Sequence, residues 1–126
     1  DGACGIPPVI FWNLPDESIL LSEEIFGPVV CIQTYHKVDE AIKLANNTNY
    51  GLAGAVWTED LNEAYYVAHC VKVGLFHINS YGEDDNCSPF GGVKESGNGK
   101  DKSIFAFDEY SERKSVWMKI GRERLH

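Results

Sequence analysis

Between Val29 and Asn79 the chain alternates strand-like runs with helix-like spacing, and this alternation restricts the architectures open to it more than any other feature. Val29-Val30-Cys31-Ile32-Gln33-Thr34-Tyr35 is a β-branched, apolar run of strand length, after which Val38, Ala41, Ile42 and Ala45 recur at helical spacing. Asp39 and Glu40 fall in the first turn of that helix, where the macrodipole favours negative charge, and Asn46-Asn47-Thr48-Asn49 with Gly51 ends it. Leu52 to Thr58 reads as a second strand. The next helix has Asp60 as its N-cap with Glu63 three residues on, an inward stripe of Leu61, Ala64, Tyr65 and Ala68, and Gly74 placed to adopt the left-handed conformation at its end. Leu75 to Asn79 is the third strand. Strands separated by helices cannot be joined as hairpins, so the order predicts an α/β fold with a parallel β-α-β-α-β core, right-handed crossovers and helices covering the sheet.

The flanks are less regular. Ile6-Pro7-Pro8-Val9-Ile10-Phe11 fits only an edge strand or extended segment, because two prolines remove ladder donors. From Ser80 to Gly99 periodicity gives way to Gly, Asp, Asn, Ser and Pro, and a loop of about 20 residues inside a compact domain is more often functional than idle. A short helical stretch is expected around Lys102 to Phe107. Ser115-Val116-Trp117-Met118-Lys119-Ile120 then alternates as a strand whose edge, carrying Trp117, needs a partner in the chain or in another subunit.

Composition excludes several function classes. A net charge of −8 argues against nucleic acid, whose binding draws mainly on Lys and Arg, with Arg122 to Arg124 the one basic stretch. No apolar run is long enough to cross a bilayer, and Asp1-Gly2-Ala3 has no leader-like pattern, so a soluble, cytoplasmic protein without membrane partners is expected. Without an initiator Met, Asp1 is expected not to be a natural start. Cys4, Cys31, Cys70 and Cys87 form no C-x-x-C pair, and His36, His69 and His77 show no ligand spacing, so no metal site is expected and the thiols are read as reduced.

Two constellations carry chemistry. In Glu23-Glu24-Ile25-Phe26-Gly27-Pro28 two carboxylates precede an aromatic and a rigid Gly-Pro turn. A carboxylate can accept both hydroxyls of a ribose, and an aromatic ring two residues on can lie against a flat heterocycle; the plainer alternative is a solvated acidic pair before a turn. The second is the long loop, with Glu83-Asp84-Asp85 and then Ser88-Pro89-Phe90-Gly91-Gly92-Val93-Lys94-Glu95-Ser96-Gly97. A phosphate cradle fails on detail, since Gly97 is followed by Asn98 and Gly99-Lys100 by Asp101 where a P-loop needs Gly-Lys-Ser or Gly-Lys-Thr. Gly97-Asn98-Gly99 is likewise too little for a dinucleotide fingerprint.

Together these residues resemble the C-terminal part of the aldehyde dehydrogenase catalytic domain. The E-E-I-F-G-P-V signature is matched in full through Val29, the V-N-x-Y strand end reads Ile78-Asn79-Ser80-Tyr81, and the P-F-G-G-x-K-x-S-G loop runs from Pro89 to Gly97. The resemblance extends from Ile6 to Ile120, and Ser96 to Ser103 is most similar to the γ-glutamyl-γ-aminobutyraldehyde dehydrogenases. It implies that Glu24 binds the nicotinamide ribose of NAD (or NADP), that Phe26 packs near the nicotinamide, that Phe90 lines the aldehyde pocket with Gly91-Gly92 admitting close backbone approach, and that Asp84 faces the substrate channel. The acidic cluster Glu83-Asp84-Asp85 fits a cationic substrate such as an aminoaldehyde, or is simply a solvated loop in an acidic protein.

The resemblance also defines what is missing. The family's chemistry uses a Cys thiolate that forms a thiohemiacetal, hydride transfer to NAD, and a Glu that activates water. The resemblance puts those motifs many tens of residues before the E-E-I-F-G-P segment, more than the 22 residues that stand before Glu23 here, and Cys4 stands too close to Glu24 to be the nucleophile. The expectation is a division into residues 1–109, part of the catalytic domain, and 110–126, an oligomerisation strand and tail in which Ser111 to Ile120 joins a homo-oligomer. No catalytic residue is expected in the chain, and alone it should be inactive. The competing class is a non-catalytic α/β module that binds a nucleotide or assembles with a partner.

Overall fold

The computed structural model describes residues 5–82 and 85–121. Its elements alternate as the sequence predicts: β1 (Val9–Trp12), the single turn α1 (Ile19–Ser22), β2 (Val29–Ile32), α2 (Val38–Asn46), β3 (Ala53–Val56), α3 (Leu61–Cys70), β4 (Leu75–Ile78), a 3-10 turn at Lys94–Ser96 and the single turn α4 (Ala106–Glu109). All strand pairs are parallel, but they form two separate sheets. β1 pairs with β2 in the register Val9↔Val29 to Trp12↔Ile32, and β3 pairs with β4 from Ala53↔Leu75 to Val56↔Ile78. The α/β class therefore holds, with β3-α3-β4 as one crossover unit and β2 turned to β1 instead of β3. Pro7 and Pro8 lie just outside the ladder, so their missing N–H groups cost it nothing, and Val9 N donates to Pro28 O at 2.9 Å.

Local chemistry explains where the elements stop. Asp60 caps α3, its Oδ1 accepting from Asn62 N at 2.8 Å and Glu63 N at 3.2 Å. Replacing Asp60 by Ala is expected to destabilise the fold by about 1 kcal/mol, read as a lower chemical-unfolding midpoint; an unchanged midpoint would show the cap to be idle. Asn46, at the end of α2, joins the two helix termini by donating from Nδ2 to Cys70 O (2.9 Å) and accepting from Lys72 N (2.8 Å), which satisfies a terminal carbonyl of α3. Past β4, the side chain of Asn79 continues the ladder: Oδ1 accepts from Thr58 N and Nδ2 donates to Thr58 O, both at 2.9 Å.

Gly74 does not serve as the left-handed cap the sequence implies. α3 ends at Val71 with φ −79°, and the backbone of Gly74 is not in the left-handed region. Its lack of a side chain matters for another reason, since a Cβ there would overlap Gly91 O and lie 2.8 Å from Gly91 C. The predicted inward stripe of α3 is also revised, because Ala64 is buried while Leu61 and Tyr65 are exposed.

The core is small. Among the described residues only Ile42 and Ala64 are buried apolar side chains and His77 the buried polar one. The chain exposes 10949 Å², whereas a self-contained monomer of this mass exposes about 6,700 Å². Apolar faces that a closed domain would cover are therefore open, on both sheets and along residues 111–120. There Val116, Trp117, Met118 and Ile120 all stand in solvent, Trp117 at 95%. The strand expected over Ser115 to Ile120 is not formed, because a ladder needs a partner and none of the described residues supplies one to this segment. Cys4, Glu83, Asp84 and Arg122 to Arg124 lie outside the described residues.

Candidate functional site

Gly51 organises the region where the two sequence motifs meet. Its carbonyl accepts from Gly74 N (3.0 Å) and Val93 N (2.9 Å), and its N–H donates to Ser96 Oγ (2.9 Å). The start of β3, the start of β4 and the long loop are thus tied to one residue. A Cβ on Gly51 would meet Lys72 O at 2.6 Å, so the three segments close only around a glycine.

Two cavities open on either side of this junction and share Leu52 and Ser96 as walls. One, of about 260 Å³, is bordered by Glu23, Glu24, Thr48 and Tyr50. The other, of about 390 Å³, is bordered by Phe90, Gly91, Gly92, Lys100 and Tyr110. Partial desolvation raises the Tyr50 phenol above its ordinary 10.0, and the charges of Glu23, Glu24 and Glu95 add to the shift, so the hydroxyl at this acidic rim stays protonated and able to donate.

Phe90 is held from several directions. Its N–H donates to Asp101 O at 2.8 Å and its carbonyl accepts from Asp101 N at 2.6 Å, an isolated antiparallel bridge, while Lys102 Nζ sits 5.3 Å from the ring centroid. Lys100 Nζ donates to Gly91 O at 2.8 Å and to Gly92 O at 2.5 Å. Phe26 stands apart from both cavities. It is 91% exposed and has φ 51°, an outlier for a bulky side chain that is retained where surroundings or function demand it.

Of the sequence-predicted site residues, Glu24 and Phe90 therefore border adjoining cavities, Phe26 projects into solvent, and Asp84 lies outside the described residues. Ser96, Tyr50 and Lys100 were not singled out from the sequence. A serine within a glycine-rich loop was the available signal for Ser96, as its hydroxyl is the kind of group that satisfies a loop's backbone N–H. The described thiols, Cys31, Cys70 and Cys87, are free, and none of them borders either cavity. Cys31 is occupied at 3.4 Å with Leu20 O. No group of three or more metal-ligating side chains occurs among the described residues, and none of their helices is long and apolar enough to cross a membrane.

Comparison with known proteins places these features in a family context. The model of the aldehyde dehydrogenase family matches residues 1–116. The chain is 41% identical over 118 residues to the NADP/NAD-dependent aldehyde dehydrogenase PuuC of Escherichia coli (strain K12), covering 94% of this chain and 24% of that protein. It is 41% identical over 114 residues to an aminoacetaldehyde dehydrogenase of Pseudomonas aeruginosa, covering 90% of this chain and 23% of the relative. Among solved structures, the P. syringae indole-3-acetaldehyde dehydrogenase AldA in complex with NAD+ superposes with a TM-score of 0.82 at 47% identity, over 90% of this chain and 23% of that one. The chain spans about a quarter of the length of these relatives.

Proposed function

The chain belongs to the aldehyde dehydrogenase family, and from that membership we propose that it forms one side of the cofactor and substrate site of an NAD(P)-dependent enzyme oxidising an aldehyde to a carboxylic acid. The attacking Cys lies in polypeptide outside these 126 residues. The observation that carries this reading is the pair of adjoining cavities divided by Leu52 and Ser96, with Glu24 on one and Phe90 on the other. Such a partition suits a cofactor and a substrate that must approach each other without sharing a pocket.

In this reading Glu24 holds the nicotinamide ribose by accepting from its hydroxyls. Phe26, already projected into solvent on a strained backbone, is free to cover the nicotinamide. NAD(P), when bound, supplies the hydride acceptor. Phe90 gives the aldehyde an apolar wall that excludes water, and the bare backbone of Gly91-Gly92 lets the substrate come close. An aminoaldehyde is the substrate class favoured by the acidic composition of the loop, and it is also the class named for the P. aeruginosa relative. The division at residue 109, a cytoplasmic location and a homo-oligomer joined through 111–120 belong to the same proposal. The last is supported by the solvent-exposed apolar run there, which lacks a ladder partner within the described residues.

Glu24→Gln in the longer polypeptide tests the cofactor half. Loss of charge-assisted hydrogen bonds to the ribose is expected to raise KM for NAD about tenfold with little change in KM for aldehyde. A KM for NAD equal to that of the unsubstituted enzyme would remove Glu24 from the cofactor site.

A further inference from the structure

The loop that carries Phe90 has only a 3-10 turn at Lys94–Ser96 and the single bridge from Phe90 to Asp101, yet a substrate wall has to be placed to within a fraction of an ångström. What places it is Lys100. We propose that Lys100 is a positioning residue for aldehyde binding, its ammonium clamping the consecutive carbonyls of Gly91 and Gly92 and thereby fixing Phe90; the inference rests on the reading of Phe90 as an aldehyde wall.

Several observations converge on this. The bonds of Lys100 Nζ to Gly91 O and Gly92 O, 2.8 and 2.5 Å, are charge-assisted, and such bonds are about twice as strong as neutral ones. Lys100 borders the same cavity as Phe90 and is partly buried, so water competes poorly for its donors. Its backbone neighbour Asp101 makes the bridge to Phe90, so the loop is gripped at successive residues, 90, 91 and 92, from one short segment. The glycines are needed for the grip as well. A Cβ on Gly91 would overlap Gly99 O and press on Lys100 Cδ at 3.2 Å and Cα at 3.3 Å, so a larger residue would push the lysine stem away. Both carbonyls accept from one donor group, and the three N–H donors of an ammonium at the end of a long stem suit that arrangement.

Lys100→Met in the longer polypeptide keeps the stem and deletes the donors. It is expected to raise KM for the aldehyde about tenfold, the loss of one charge-assisted contact, while KM for NAD stays within about twofold. Lys100→Arg, which restores donors in a different geometry, should recover part of that loss. A purely structural defect would move both KM values together and would not respond to Arg. If Lys100→Met does not accumulate in folded form, Lys100→Leu, which also deletes the donors but carries a shorter apolar stem, is expected to give the same split. Phe90→Ala is run alongside. If it raises KM for the aldehyde while the Lys100 variants leave it unchanged, the clamp is refuted and the wall stands; if Phe90→Ala itself leaves KM unchanged, the reading of Phe90 fails and the clamp falls with it.

Discussion

Gly74→Ala is expected to destabilise the longer polypeptide by about 3 kcal/mol or more, beyond the usual range for one added methyl in a packed site, with an unfolding midpoint lowered accordingly. The reason is the nature of the obstacle. A Cβ on Gly74 would occupy the position of Gly91 O and would lie 2.8 Å from Gly91 C and 3.1 Å from Gly92 Cα, all backbone atoms that no rotamer change can withdraw. Gly74 N is meanwhile bonded to Gly51 O at 3.0 Å, so retreat on the other side would break the junction that ties β3 and β4 to the loop. Either response displaces Gly91 and Gly92, and with them Phe90, so KM for the aldehyde should rise in whatever folded protein remains. Gly5→Ala is the control, because nothing lies within 4 Å of a Cβ there. Thermal unfolding followed by circular dichroism compares the two, and a Gly74→Ala midpoint indistinguishable from that of Gly5→Ala would contradict the packing described.

The same glycine shows where sequence reading reaches its limit. Its position after a helix made a left-handed cap the natural expectation, because that role depends only on neighbours in sequence. Its actual role depends on Gly91, which only the tertiary fold brings to it. Features set by local chemistry were legible: the Asp60 cap, the acidic first turn of α2, and the order of strands and helices. Features set by distant partners were not. Nothing in Val29-Val30-Cys31-Ile32 reveals that its ladder runs to Val9–Trp12 and not to Ala53–Val56, and the alternation over Ser115 to Ile120 describes a strand only once something pairs with it. The site divides in the same way. Glu24 and Phe90, the proposed cofactor and substrate contacts, stand out in sequence because they sit in dense motifs, while Ser96, Tyr50 and Lys100 gain significance only from the cavities and carbonyls that the fold sets beside them.

The larger expectation is an all-or-none one. The chain exposes 10949 Å² against about 6,700 Å² for a closed monomer of its mass, and the excess includes large apolar side chains on both sheets. Surfaces of that kind are built to be covered. Among the described residues the chain offers the proposed ribose contact Glu24 and the proposed aldehyde wall Phe90 on adjoining cavities, and no thiol on either cavity. Catalysis by covalent attack needs the nucleophile at the reacting carbon, and positioning groups without it supply binding alone. The 126-residue chain should therefore give no NAD reduction by itself, however much aldehyde is present. The longer polypeptide that contains it should turn over.

The direct test is the steady formation of NADH, followed by absorbance, by the purified chain and by the longer polypeptide under the same conditions with aldehyde and NAD in excess. The account predicts sustained turnover from the longer polypeptide and none above the buffer blank from the chain. Sustained turnover by the chain alone would contradict it, because the attacking group would then have to lie among these residues.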